Sequence, residues 1–141
     1  MTFTRAILLA LCLGGTANGH ANGRAESPAA AMSSVTDGSR LYAEYCAVCH
    51  GSEGRGDGPM ATGLTTPPSD LRRLTVAYGG IFPVTQVRET IDGRTPPLLH
   101  GTRDMPIWGD AFKRTRGPQG ERRVEERLDL LIDYLQTLQE Y

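Results

Sequence analysis

The sequence is poor in cysteine, in aromatic residues and in long apolar runs. Its 141 residues include three cysteines and one tryptophan, too few cysteines for a disulfide-stapled scaffold. Acidic and basic residues nearly balance, 16 against 15, for a net charge of −1. This balance does not suggest nucleic-acid binding. Beyond the N-terminal residues no segment is long and apolar enough for a transmembrane helix, so we expect no membrane span.

The N-terminus has the layout of an export signal. A short positive region precedes the apolar stretch 6–15, which is too short to cross a bilayer. Small residues follow, and we predict a signal peptide of residues 1–21. Cys12 lies in this leader. It is predicted to be an ordinary apolar residue and not a lipid-attachment site, because Leu11 before it is not the small residue of a lipoprotein signal. The mature protein is therefore expected to be soluble and periplasmic.

The most informative pattern is the pentapeptide Cys46-Ala47-Val48-Cys49-His50. Two thiols separated by two residues can add to the two vinyl groups of a haem, and the following histidine can bind the iron. A thioredoxin-like pair would need a βαβ unit, and a zinc site would need four ligands; the sequence indicates neither. The pattern predicts one haem c attached through Cys46 and Cys49, with His50 as a ligand.

The rest of the chain reads as helices and loops. Asp37 is a suitable N-cap for a first helix that runs into the cysteine motif. Residues 84–91 are predicted to form a helix that ends at Gly93. Apolar residues recur every three or four positions over residues 124–139, which predicts an amphipathic last helix. The predicted fold is therefore mostly α.

Domain organisation follows from composition. Residues 22–35 are small and polar, and we predict that they form a flexible tail or linker. This leaves one domain, residues 36–141. Glycine and proline concentrate between residues 51 and 109, so the domain is rich in loops and its own apolar core is modest. A covalently held haem would complete that interior.

The haem motif and its flanking helices resemble the class I cytochrome c family over residues 37–139. The resemblance implies that loops wrap one haem and that the N-terminal helix crosses the C-terminal helix. The matching residues are Gly38 and Tyr42 on the first helix, with Leu131 and Tyr134 on the last. A glycine at the crossing would let the two helices approach closely.

The resemblance also implies a second iron ligand. The segment Asp104-Met105-Pro106-Ile107-Trp108-Gly109 is similar to the Met-Pro ligand loop of the family, which makes Met105 the expected ligand. Two alternatives are that Met105 is an apolar filler and that His100 binds the iron instead. Met60 is expected to pack or to be exposed.

Further residues are assigned roles by the same resemblance. The carbonyl of Pro68 is expected to accept the second N–H of the iron-binding histidine, with Pro59 as an alternative acceptor. Trp108 is expected beside a haem propionate or the distal wall, or else in the core. The candidates for pairing with haem propionates are Arg94 and Arg103.

His/Met ligation would close both axial positions of the iron, leaving no site for oxygen or peroxide. We therefore expect a non-enzymatic carrier of single electrons between periplasmic redox proteins. The alternatives are a dedicated haem subunit of a periplasmic dehydrogenase, and a gas-binding or peroxidatic protein with an open iron. The basic segment 113–123 would either dock a partner or be an ordinary solvated loop.

Overall fold

The computed structural model describes residues 27–94 and 104–141, and within these ranges the chain is helical and has no strand. The helices are α1 Pro28–Tyr45, α2 Ala47–His50, α3 Leu74–Ala77, α4 Val84–Asp92, α5 Trp108–Phe112 and α6 Pro118–Thr137. Short 3₁₀ turns occur at Ala61–Gly63 and Leu71–Arg73. The prediction of a mostly α fold is confirmed. In the described part of the chain, no helix combines the length and apolarity that crossing a membrane requires.

Helix α1 begins well before the predicted start. Ser27 is its N-cap, and the Ser27 hydroxyl accepts a hydrogen bond from the Ala30 amide at 3.3 Å. Pro28 at the first helical position has the φ angle that a helix needs, and the alanines that follow are strong helix formers. The linker prediction for residues 22–35 is therefore wrong from Pro28 onward. The small, polar composition of these residues is typical of disorder, but composition alone takes no account of the Ser27-Pro28 start signal.

Asp37 consequently lies inside α1, where it pairs with Arg40 one turn later. The predicted signal peptide, the first residues of the predicted linker, His100 and Arg103 all lie outside the described residues.

The crossing of α1 and α6 is the main packing contact of the fold, as the resemblance implied. Gly38 is buried where α1 meets α6, and a Cβ there would overlap the carbonyl oxygen of Leu130 and lie 2.8 Å from the Cβ of Tyr134. One turn on, Tyr42 is 1% exposed, and its ring centroid lies 5.3 Å from that of Tyr134. The two backbones can approach this closely because Gly38 has no side chain.

Helix α6 carries most of the apolar core. It begins at Pro118, directly after Gly117, whose φ is 83°. The apolar stripe predicted a start at Val124, six residues later. The stripe itself is buried as predicted, at Val124, Leu128, Leu131, Ile132 and Leu135. Across from it lie side chains of three other helices, including Tyr42, Val87, Ile91 and Phe112. Helix α4 ends at Gly93 in the left-handed conformation, as predicted.

Substitution of Gly38 by alanine tests the crossing. The new methyl group would press on the Leu130 carbonyl, and such overpacking costs about 1–3 kcal/mol. We expect the Gly38→Ala variant to unfold at clearly lower urea concentration than the parent. Gly63→Ala is the matched control, because nothing lies within 4 Å of a Cβ at that position. Equal urea midpoints for the two variants would contradict a close crossing at Gly38.

Candidate cofactor site

The cysteine motif lies where α1 passes into α2. Cys46 is both the last-turn cap of α1 and the residue before α2, and the backbone stays helical through it. Cys49 and His50 follow three and four positions later, a spacing that puts side chains on one helical face. Both cysteines are half-buried free thiols. Local helix geometry therefore presents the three side chains together.

His50 is oriented by a backbone carbonyl. Its Nδ1 lies 3.1 Å from the carbonyl oxygen of Ser69. A carbonyl only accepts, so Nδ1 carries the proton and Nε2 keeps a free lone pair. Burial lowers the pKa of His50, although the Ser69 bond partly opposes that shift. The imidazole is thus neutral near pH 7, the form that binds metals.

The acceptor is Ser69, so the prediction that His50 donates to Pro68 or Pro59 is wrong. The Pro68 carbonyl instead faces residues 51–58, the glycine loop that follows the motif, since a Cβ at Gly56 would overlap its oxygen. The sequence located the right loop, but it could not fix which carbonyl faces the ring.

Residues directly after α6 hold the loop that follows Ser69. The Gln139 side chain accepts from the Thr75 amide at 2.9 Å and donates to the Leu71 carbonyl at 2.8 Å. Arg72, largely buried, pairs with Asp70 at 2.7 Å and also with Glu140. The contacts made by Gln139 and Glu140 were not predicted, because these residues lie more than 60 positions from their partners and share no motif with them.

Met105 and His50 line the same cleft. Two adjoining cavities of 230 and 480 Å³ have Cys46, His50, Ser69, Thr90 and Met105 in both their walls. The remaining wall of the smaller cavity is largely apolar and includes Tyr42, Leu71, Leu74, Val87, Ile91, Leu131 and Leu135. The larger cavity adds Cys49, Pro68 and Trp108. The cleft therefore gathers six of the residues singled out from the sequence, namely Cys46, Cys49, His50, Pro68, Met105 and Trp108.

Trp108 both lines the cleft and packs in the core, so its two predicted settings coexist. Its ring stacks on Phe112 with centroids 5.9 Å apart, and Tyr45 meets both rings edge-on. The Arg127 guanidinium lies over the Phe112 ring, 5.3 Å from its centroid. Met60 is 54% exposed, as expected for a methionine outside the site.

Comparison with known proteins assigns the family. Residues 33–115 match the family described as cytochrome C oxidase, cbb3-type, subunit III. The chain belongs to this family. Its match spans the cysteine motif, the glycine loop and Met105, and membership supports covalently bound haem c and a role in electron transfer. No curated protein and no solved structure gives a significant match.

The cleft of this c-type cytochrome suits a haem on chemical grounds. Partial burial, with a smaller contribution from Cys49, raises the pKa of Cys46 to about 12. Redox-active dithiols instead depend on a thiolate of lowered pKa. A neutral imidazole and a thioether line the same space, whose walls are mainly hydrocarbon. These groups match the covalent attachment points, axial ligands and apolar surroundings of haem c.

Arg94 has a structural role in the cytochrome. It pairs with Asp92 at 2.5 Å and with Glu121 at 2.6 Å, and Glu121 also pairs with Lys113. Its charge is thus already matched by two carboxylates, which disfavours the predicted role as a propionate partner. Gly109 lies against this group, since a Cβ there would overlap the Asp92 carboxylate. The network joins α5, and with it the Met105 segment, to α4 and α6.

The Glu121 pairs predict an acid-sensitive contribution to stability. Hydrogen bonds from Arg94 and, to a smaller extent, from Lys113 hold the pKa of Glu121 below its ordinary value of 4.5. A lowered folded-state pKa stabilises the fold above pH 4.5, and that stability is lost as the pH falls through the folded value. We expect Glu121→Gln to lower the thermal midpoint near pH 7, and the difference from the parent to shrink below pH 4.5. Glu126→Gln, an exposed change on the same helix, is the control. A pH-independent Glu121→Gln difference would contradict the prediction.

Proposed function

We propose that this cytochrome is a periplasmic single-haem electron carrier with His50 and Met105 as the axial ligands. Cys46 and Cys49 would hold the haem c covalently. The observation that carries the proposal is the convergence of these four side chains on one largely apolar cleft. When bound, haem c supplies one iron centre that gains or loses a single electron.

The residues of the cleft tune and protect that centre. The Ser69 carbonyl accepts a hydrogen bond from the Nδ1–H of His50, and this bond fixes the ring and raises the basicity of Nε2. As a ligand, the thioether of Met105 would favour the reduced iron and so raise its potential relative to a second histidine. With both His50 and Met105 bound, the iron would have no position left for oxygen or peroxide, so we infer a carrier and not an enzyme.

Export to the periplasm is supported by the predicted signal peptide of residues 1–21. A single Cys-x-x-Cys-His motif in the sequence supports one haem per chain. The electron donor and acceptor would then be other periplasmic redox proteins.

A second candidate is a dedicated haem subunit of a larger complex. The matching family takes its name from subunit III of an oxidase, and a periplasmic dehydrogenase is the alternative host. The chemistry at the haem would be unchanged, but the chain would co-purify with a stable partner. Gel filtration of the protein from its native periplasm separates this candidate from a diffusing carrier.

The basic segment 113–123 is a candidate docking surface for an acidic redox partner. Lys113 is paired with Glu121 and contributes little. Within this segment, Arg114, Arg116, Arg122 and Arg123 are exposed and have no ion-pair partner among the described residues. Four such charges in a nearly neutral chain favour a partner with a negative surface, because opposite charges steer short-lived redox encounters.

Optical spectra of the haem-loaded protein test the ligands. We expect the oxidised protein to show the weak long-wavelength sulfur-to-iron band and the reduced protein to ignore carbon monoxide. Met105→Ala should abolish the band and admit carbon monoxide, because it removes the thioether. Met60→Ala, at an exposed methionine, should change neither. Rapid carbon monoxide binding by the parent would exclude a closed His/Met site and favour the gas-binding or peroxidatic alternative.

Charge reversal tests the docking surface. We expect Arg122→Glu with Arg123→Glu to slow electron transfer to an acidic partner about tenfold at low ionic strength and to flatten its salt dependence. The control is Arg73→Glu, an exposed change on the turn that contacts the opposite end of α6. Equal rates for the parent and the double variant at low salt would rule out docking at this segment.

A further inference from the structure

Met105 lies in a segment that is held differently on its two sides. On the C-terminal side, α5 packs into the core through the fully buried Phe112 and the stacked Trp108. It is also fixed by the close approach of Gly109 to Asp92. On the N-terminal side, Asp104 lines the cleft, and its side chain is polar. The two anchors therefore differ in kind, one being packing and the other polar.

The Asp104 carboxylate accepts a hydrogen bond from the backbone amide of Thr66 at 2.9 Å. The two residues are 38 positions apart, and both line the larger cavity next to Met105. The bond therefore joins two separate loops at the edge of the cleft, directly beside the expected iron ligand.

The loop of residues 58–66, which ends at Thr66, is itself bonded to the cysteine motif. The Met60 amide donates to the Val48 carbonyl at 2.9 Å, and the Gly58 amide donates to the Cys49 carbonyl at 3.0 Å. A chain of backbone contacts thus runs from the cysteine motif through residues 58–66 to Asp104. The Asp104 bond closes that chain on the methionine side.

We propose that Asp104 is a positioning residue for Met105: by accepting the Thr66 N–H, its carboxylate keeps the methionine on the iron. The proposal rests on the proposed function, because it needs Met105 as a ligand. A carboxylate accepting an amide N–H makes a stronger bond than a neutral acceptor does. The bond is solvent-accessible, which limits its net contribution to that of an ordinary hydrogen bond.

The consequence is a shift between attached and detached Met105. An exogenous ligand binds the oxidised iron only when the methionine has left, so its apparent affinity reports the detached fraction. Loss of one ordinary hydrogen bond should raise that fraction about threefold to tenfold. Imidazole is a suitable probe, because its neutral form is insensitive to the charge removed with the carboxylate.

The experiment is an imidazole titration of the oxidised, haem-loaded protein, followed through the sulfur-to-iron band. We expect Asp104→Ala to bind imidazole about threefold to tenfold more tightly than the parent. Asp104→Asn keeps an acceptor oxygen, so its affinity should lie nearer to the parent's than to that of the alanine variant. Thr66→Ala keeps the backbone N–H and should match the parent.

The outcomes separate the two levels of the proposal. A parent without the sulfur-to-iron band would overturn the proposed function itself. With that band present, parent-like imidazole affinity in Asp104→Ala would overturn the role of Asp104. The same holds if Asp104→Asn or Thr66→Ala binds imidazole as tightly as Asp104→Ala, since the effect would then not follow the hydrogen bond. Urea midpoints of all variants show whether any change is global unfolding.

Discussion

The close approach of α1 and α6 at Gly38 is the constraint on which the site depends. Because a backbone carbonyl of α6 occupies the space that a Cβ would take at Gly38, the close approach holds only in the register that places Gly38 at this point. That register sets Tyr42 against Tyr134, and the Tyr42 hydroxyl donates to the Gly51 carbonyl at 2.7 Å. The residue directly after the cysteine motif is thereby tied to the helix crossing. Helix packing thus positions the chemistry.

Helix α6 and the residues directly after it support both walls of the cleft. Two residues beyond the helix, Gln139 holds the loop that follows Ser69, and so the carbonyl that orients His50. At its N-terminal end, Glu121 joins Arg94 and through it the helix beside Met105. One helix of 20 residues therefore links two loops that the sequence separates widely.

The features that the sequence could predict are those governed by local rules. The spacing of Cys46, Cys49 and His50, the apolar stripe of α6 and the stop at Gly93 each follow from a repeat or a single conformational requirement. The Ser69 carbonyl and the Arg94 pairs could not be predicted, because they depend on how distant loops align. The early start of α1 is a different case. Its Ser27-Pro28 signal was present in the sequence, but the polar composition of residues 22–35 outweighed it.

In the described part of the chain, the two walls of the cleft are held by different kinds of contact, and this difference bears on the proposed function. The His50 wall is continuous with α1, carries both attachment cysteines, and is bonded to the glycine loop and to Ser69. Among the described residues, the Met105 segment is held by a short helix and by the Asp104 bond. Electron transfer needs a ligand set that changes little with oxidation state. With the proposed His50/Met105 ligation, the contacts of the Met105 segment would therefore decide how well the protein meets that need.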